Sequence, residues 1–417
     1  MSTVTVKNLF KIFGRNTKDA FKMIEKGHSK EEILEKTGCT VGINDASFDI
    51  KEGETFVVMG LSGSGKSTVL RCLNRLIEPT SGEIIIDGQN ITEMNKEDLR
   101  TLRRKQLSMV FQNFGLLPHR NVVSNVEYGL EISNVDKKTR RKKAMESIEL
   151  VGLKGYEFQM TSELSGGMQQ RVGLARALAN DPRIMLMDEA FSALDPLIRA
   201  DMQDELLELQ ARMKKTIVFI THDLDEALKL GDRIAIMKDG RIVQIGTPEQ
   251  ILTEPADDYV TAFVQNVDRM NIITASAIMK KAEVMRTSKD GPSAALRKMK
   301  ELGISSISVI NEDRVFQGMV RLEDAKRLSE SKIKDLSEII QKDVKTTTED
   351  VPVRSLLGDS VSSPYPIPVL DDAGHIKGIV KRASVMAMVE DWEPAETQAQ
   401  KSGKEQHASE QQPSATS

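Results

Sequence analysis

Cysteine is nearly absent from this chain: Cys39 and Cys72 are the two in 417 residues, and they stand with no paired spacing. A disulfide framework and a zinc site both need several cysteines at short, regular separations, so both are excluded, and a reducing cytoplasmic setting fits. Aromatic residues are scarce, at 4%, and the charges nearly cancel, 58 Lys+Arg against 62 Asp+Glu. A formal charge of −4 is too balanced to make nucleic acid an obligatory partner. No run of about 18 apolar residues occurs, which excludes a membrane-crossing helix. The first residues, Met1-Ser2-Thr3-Val4-Thr5-Val6, lack the basic and apolar blocks of a signal peptide. If the protein works at a membrane, another subunit must span it. The length itself allows two or three domains.

What the chain does have is one dense glycine stretch, Gly60-Leu61-Ser62-Gly63-Ser64-Gly65-Lys66-Ser67-Thr68, directly after the apolar run Phe56-Val57-Val58-Met59. The order predicts a strand, a glycine-rich turn and a helix beginning near Lys66, the layout of a P-loop. The chemistry is phosphate capture. Glycines let several backbone N–H groups converge on one anion, the helix N-terminus adds partial positive charge, Lys66 reaches the outer phosphates and the Ser67 hydroxyl can ligate Mg²⁺. The plainer alternative is an ordinary glycine-rich turn.

Other segments supply groups that such a loop needs. Val4 to Val6 alternates like an edge strand, closed by Lys11-Ile12-Phe13-Gly14. Phe13 is either a platform for a nucleotide base or a core phenylalanine. Within the charged segment 15–38, Ser29-Lys30-Glu31-Glu32 has capping-box spacing, so one or two short helices are inserted between strands. Val41 to Ile50 and Thr55 to Met59 read as strand, turn, strand; Glu83 to Asp87 and Leu107 to Phe111 are further strands, the last ending at Gln112, which beside a P-loop is a candidate for touching the metal or the attacking water. Lys137 to Lys143 is a basic run on a helix, read as a solvated face. Ser165-Gly166-Gly167 precedes a helix and offers a second anion-binding terminus; one nucleotide does not need two cradles from one polypeptide, so the second is expected to serve another subunit's nucleotide. Ile184 to Glu189 is a buried strand with two carboxylates at its end: Asp188 suits Mg²⁺, and Glu189 suits polarising the attacking water. Thr216 to Thr221 is another apolar strand, ending at His222, which suits contact with a γ-phosphate or holding the catalytic water.

Taken in order, these residues resemble an ABC-transporter ATPase: the P-loop from Gly60 to Thr68, a Q-loop glutamine at Gln112, the signature Leu164-Ser165-Gly166-Gly167-Met168, Walker B with its glutamate at Asp188 and Glu189, a D-loop at Asp195 and a switch histidine at His222. The resemblance implies an α/β P-loop NTPase with a RecA-like core, a helical subdomain over about 113–180 and an antiparallel β subdomain, all within 1–268. It implies ATP and Mg²⁺ as cofactors, with Phe13 under the adenine and Ser62, Gly63, Ser64, Gly65, Lys66, Ser67 and Thr68 on the phosphates. It also implies a head-to-tail dimer in which Ser165, Gly166, Gly167 and Gln169 face the other copy's nucleotide. Phe114 to His119 with Asn125-Val126 resembles the segment that receives a permease coupling helix. The insertion 15–38, Leu76 to Thr80 and Ala190 to Arg199 are similar to the glycine betaine/proline betaine importers, which implies peripheral attachment at the cytoplasmic side of the cell membrane, a transmembrane permease and, indirectly, a solute-binding protein or domain. A soluble ABC protein acting on nucleic acid or ribosomes and a nucleotide-sensing regulator are the readings from other classes; co-purification with a permease separates them from transport.

After Asp268 the composition changes and two units of similar pattern appear. One runs through Ala294 to Leu302, Ser306 to Asn311 and Gly318-Met319-Val320; the other through Val351 to Gly358, Ile367 to Leu370 and Gly378-Ile379-Val380. The repeat resembles a tandem CBS pair over 269–390, an α+β regulatory module. The position usually Thr or Ser is Arg321 in one copy and Lys381 in the other, and the ribose-reading aspartate survives only as Asp324, with Ser384 opposite it. Two cations there, with Lys280, Lys281, Arg286, Lys289, Arg297, Lys298 and Lys300 nearby, favour an anion such as a cyclic dinucleotide or an anionic lipid, or a response to ionic strength. Residues 391–417 lack apolar periodicity and are expected to be disordered.

Overall fold

The computed structural model describes residues 2–265, 269–331 and 335–390. The chain divides into two units, Met1–Gln265 and Asn266–Ser417. The boundary expected at 268 and the tail expected at 391–417 lie outside the described residues.

The first unit opens with β1 (Ser2–Phe13), which buries Val4 and Val6, then switches register at a bulge around Asn8 so that Leu9 and Ile12 take the inward places. The expected edge strand is longer than three residues and is not an edge, because β1 lies between two partners. The insertion forms α1 (Thr17–Glu25) and α2 (Lys30–Thr37), the latter with the Ser29–Glu32 capping box. Ala20, Ile24 and Ile33 pack with Ile12, Cys39 and Val41, so the insertion extends the end of the β1 layer. β2 (Thr40–Lys51) and β3 (Thr55–Met59) are joined by a short turn yet enter different sheets. α3 (Lys66–Leu73), β4 (Ser81–Ile86), β5 (Gln89–Asn90), α4 (Lys96–Gln106) and β6 (Leu107–Val110) follow. The helical segment is α5 (Val122–Val126), α6 (Tyr128–Ile132), α7 (Lys137–Leu150) and α8 (Gly166–Ala179). The chain then returns through β7 (Ile184–Asp188), α9 (Pro196–Met213), β8 (Thr216–Thr221), α10 (Leu224–Leu230), β9 (Arg233–Lys238), β10 (Arg241–Gly246), α11 (Pro248–Thr253) and α12 (Asp258–Val264).

Two sheets result, with orders β2-β1-β4-β5 and β10-β9-β3-β8-β7-β6. In the second, β9, β3, β8, β7 and β6 are parallel, and β3, β7 and β8 are buried along their whole length, as near-continuous Val/Ile/Phe/Met runs require. The sheets share one core: Val4, Val6, Ile50 and Ile84 from the first meet Val58, Leu186, Val218 and Ala235 from the second, and Phe48 stacks on Phe56 at 5.3 Å. The parallel order brings the carboxyl ends of β3, β7 and β8 side by side, which is where an open α/β sheet binds ligands.

The second unit holds α13 (Ala275–Ile278), β11 (Val284–Arg286), α14 (Pro292–Leu302), β12 (Ser306–Ile310), β13 (Phe316–Arg321), α15 (Leu322–Glu330), α16 (Val353–Ser362), β14 (Ile367–Leu370), β15 (Ile376–Val380) and α17 (Arg382–Glu390). The expected helix–strand–strand repeat is present twice, each copy with its own apolar cluster, one around Met299, Val309 and Val320 and the other around Leu356, Val369 and Val380. Each copy also ends in a helix that the strand pattern did not announce, α15 and α17. The copies interlock: Lys280 bridges to Ile379 in the second, and Val315 bridges to His375.

Candidate active site

The loop after β3 is shaped by close backbone packing. Gly60 has φ +149° and Gly65 φ +106°; a Cβ on the first would strike the Met237 carbonyl and on the second the Gly42 carbonyl, so any side chain at either position must displace main chain. Gly240 N–H donates to Ser64 O at 2.9 Å, and α3 begins at Lys66 as expected. Lys66 is 5% exposed, and its ammonium donates to Gly60 O at 2.8 Å and Leu61 O at 3.1 Å. Burial pulls its pKa below the usual lysine range, against the raising influence of Glu189 and Asp188. A buried ammonium held only by carbonyls beside two acids is a charge prepared for an anion. The Ser64 hydroxyl is buried without a hydrogen-bond partner, as a group aimed into a phosphate cradle would be.

The β7 end meets this loop. Ser67 Oγ donates to Asp188 Oδ1 at 2.9 Å, and Arg71, one helical turn further along α3, lies 3.3 Å from Asp188 Oδ2. Two hard oxygens from Ser67 and Asp188 at this separation suit Mg²⁺. Glu189 leaves the strand with φ +47°, in the left-handed region, its N–H held by Ile220 O at 3.1 Å. Its carboxylate collects two further expected residues: Gln112 Nε2 donates to Glu189 Oε2 at 3.2 Å, and His222 Nδ1 lies 3.4 Å from the same oxygen. Ser192 was not expected here; its hydroxyl donates to Glu189 O at 2.9 Å and accepts from Gln112 at 3.3 Å. Arg71 and Ser192 are the contacts that sequence reading missed. The only signal for Arg71 was its i, i+4 relation to Ser67.

Phe13 is 39% exposed, so it is not a core residue. Its ring covers Gly42 so closely that a Cβ there would lie 2.8 Å from Cε2 and 3.4 Å from the Thr68 methyl, and Lys11 Nζ stands 4.9 Å from the ring centroid. An exposed aromatic face beside the P-loop helix can stack on a base.

The signature residues sit apart from this cluster. Ser165 caps α8 by accepting from Met168 N–H at 3.4 Å, Gln169 Nε2 donates back to Leu164 O, and Gly167 lies against the Ile198 methyl, leaving no room for a larger residue. Among the described residues no hydrogen bond joins Ser165, Gly166 or Gly167 to the P-loop. Further along α8, Arg176 donates to Gly115 O at 2.6 Å and Phe114 O at 2.9 Å and so fixes the loop that follows Gln112.

Fold and site together define a P-loop nucleotide-hydrolysing cassette. The family model described as ABC transporter matches residues 43–192. The glycine betaine/carnitine transport ATP-binding protein GbuA of Listeria monocytogenes is 54% identical over 93% of this chain and 97% of its own length. The glycine betaine transport ATP-binding protein OpuAA of Bacillus subtilis is 55% identical over 92% of this chain and 91% of its own. The glycine betaine/proline betaine ATP-binding protein ProV of Salmonella typhimurium is 47% identical over 91% and 96%. Among solved structures, the dimeric post-hydrolysis state of the ATP-binding cassette MJ0796, bound to ADP and Pi, covers 59% of this chain and 98% of that one at 32% identity, with a TM-score of 0.50. The chain belongs to the ATP-binding, ATP-hydrolysing subunits of ABC transporters, in the branch of the glycine betaine transport proteins.

Proposed function

We propose that this subunit energises import of a quaternary-ammonium osmoprotectant of the glycine betaine/proline betaine type through a separate membrane permease. It would work peripherally at the cytoplasmic side of the cell membrane; no helix among the described residues is long and apolar enough to cross one. The observation that carries the mechanism is the convergence of Lys66, Ser67, Gln112, Asp188, Glu189 and His222 at four adjacent strand ends, those of β3, β8, β7 and β6, while the signature helix stands outside. Lys66 and the loop from Gly60 to Thr68 bind the phosphates, and Phe13 stacks on adenine. Ser67, Asp188 and Gln112 would hold Mg²⁺, which supplies charge neutralisation on the phosphate oxygens when bound. Glu189 orients and deprotonates the attacking water, and His222 holds Glu189 and reports the γ-phosphate. Ser165, Gly166, Gly167 and Gln169 would complete the nucleotide site of a second, head-to-tail copy, which explains why they touch nothing in their own.

The second unit is proposed as a tandem CBS module that regulates transport through an anion. A cavity of about 670 Å³ is lined by Lys280, Lys281, Lys381 and Arg382, and its one acid, Glu283, is already paired with Lys298 at 2.9 Å. Lys298 thereby leaves the expected cluster of free cations. Arg321 keeps its charge but is not among the residues lining the cavity; its Nε donates to Tyr365 Oη at 2.8 Å, with the guanidinium 4.9 Å from the ring centroid. Asp324 is engaged by Arg327 at 2.9 Å. The cavity therefore suits a polyanion such as a cyclic dinucleotide, with an anionic lipid headgroup as the membrane-borne alternative.

Purifying the chain with the permease that copurifies with it and measuring ATP-dependent uptake of labelled glycine betaine into proteoliposomes tests the reading. Uptake is expected; a complex that hydrolyses ATP and moves no quaternary amine would overturn it.

A further inference from the structure

We propose that Arg199 is a positioning residue for hydrolysis, a strut that fixes the turn after Glu189 to the turn that carries His222. The inference rests on the roles given above to Glu189 and His222.

Arg199 lies in the first turn of α9, whose N-terminus Asp195 caps by accepting from Ile198 N–H at 3.1 Å. One arm of its guanidinium donates backwards to Leu194 O at 3.0 Å and reaches Ser192 O at 3.5 Å. The other arm lies 3.6 Å from Asp223 Oδ2. Two of these partners, Ser192 and Asp223, are one link from a hydrolytic group. Ser192 holds the Glu189 carbonyl and accepts from Gln112, while Asp223 follows His222 directly and caps α10 by accepting from Glu226 N–H at 3.1 Å. A planar guanidinium can serve two carbonyls and a carboxylate on opposite sides at once, whereas an ammonium is a single point of charge.

Simple attachment of α9 needs none of this. One turn further on, Gln203 donates to Glu226 at 3.1 Å, with both residues buried, and Met202, Leu206 and Leu209 anchor the helix in apolar surroundings. Arg199 instead stands at the partly exposed end, where the two turns meet the site. Removing it would leave the helix docked and free the turns to move independently, so that Glu189 and His222 lose their mutual registration.

The test is a double-mutant cycle on the full-length protein. Arg199→Ala is expected to lower kcat by about tenfold or more while affinity for a fluorescent ATP analogue stays within about twofold. Combined with His222→Ala, it is expected to add less than about a further twofold, because both act on one geometry. Arg199→Lys should fall between Ala and the parent. A turnover for Arg199→Ala within about twofold of the parent overturns the strut. So does a loss that multiplies fully with that of His222→Ala or is matched by lost nucleotide affinity, since either marks general destabilisation. Normal turnover in Glu189→Gln and His222→Ala would overturn the site assignment itself; low turnover in those two beside an unaffected Arg199→Ala sinks only the strut.

Discussion

Glu189 sits in a backbone conformation that glycine adopts freely and a side chain resists, at a cost on the order of 1 kcal/mol. The neighbouring strand end compensates through the bond from Glu189 N–H to Ile220 O, and the strain turns the carboxylate towards Gln112 and His222. Glutamine keeps the shape and most of these hydrogen bonds but cannot take a proton. Glu189→Gln should therefore bind ATP with near-parental affinity, lose about a thousandfold in turnover and accumulate as an ATP-bound dimer in size-exclusion chromatography. Near-normal turnover in that variant would contradict the role. The principal groups were legible in the sequence because each lies at the end of an apolar run or beside glycines, where a polar residue stands out. Arg71, Ser192 and Arg199 were not: each is one polar residue among many on a helix or turn, and their partners Asp188, Gln112 and Asp223 become neighbours only when the strands are ordered.

Between elements, the contact of α9 with α10 contains a buried acid that plays no part in the chemistry. Glu226 is 5% exposed; burial raises its pKa above the usual carboxylate range and Asp223 adds to the rise, against the opposing effects of Thr221, Gln203 and Arg199. Because the native pKa is raised, the protonated form is the one that folding favours. Its contribution is complete in acid, below the unfolded-state pKa, and is lost as pH rises through the native pKa. Glutamine mimics the protonated form and still accepts from Gln203. Glu226→Gln should raise Tm at pH 8 and leave it almost unchanged at pH 4.5, as followed by calorimetry; an equal shift at both would mean that packing, not ionisation, governs the site. Elements themselves were readable where pattern and length agreed, as in β3, β7 and β8. β1 misled because its bulge at Asn8 breaks the alternation and hides its length, and α15 and α17 escaped because short helices directly after a strand lack a separating turn signal.

At the scale of the molecule, the two units have separate apolar cores, so the second can be removed without dismantling the first. Two sets among the cations of the second unit can be told apart. Lys280, Lys281, Lys381 and Arg382 line the cavity, whereas Arg297 and Lys300 stand on α14, Arg297 facing Glu301 at 3.9 Å. Exposed cations are drawn to an anionic membrane by about 1 kcal/mol each, and that attraction fades over a Debye length of about 8 Å at physiological salt. Release of such a contact by rising KCl would give a transporter that switches on when the cell loses water. The full-length complex in anionic vesicles should show uptake rising steeply with internal KCl, and a chain ending at Gln265 should show a flat response at the activated level. Within the full chain, Arg297→Glu with Lys300→Glu should flatten the KCl curve while leaving binding of a labelled cyclic dinucleotide, the anion proposed for the cavity, unchanged, and Lys281→Glu with Lys381→Glu should do the reverse. Identical KCl curves for full-length and shortened chains would show that salt is sensed elsewhere, and undiminished dinucleotide binding in the cavity variant, or none in the parent, would remove that anion from the cavity.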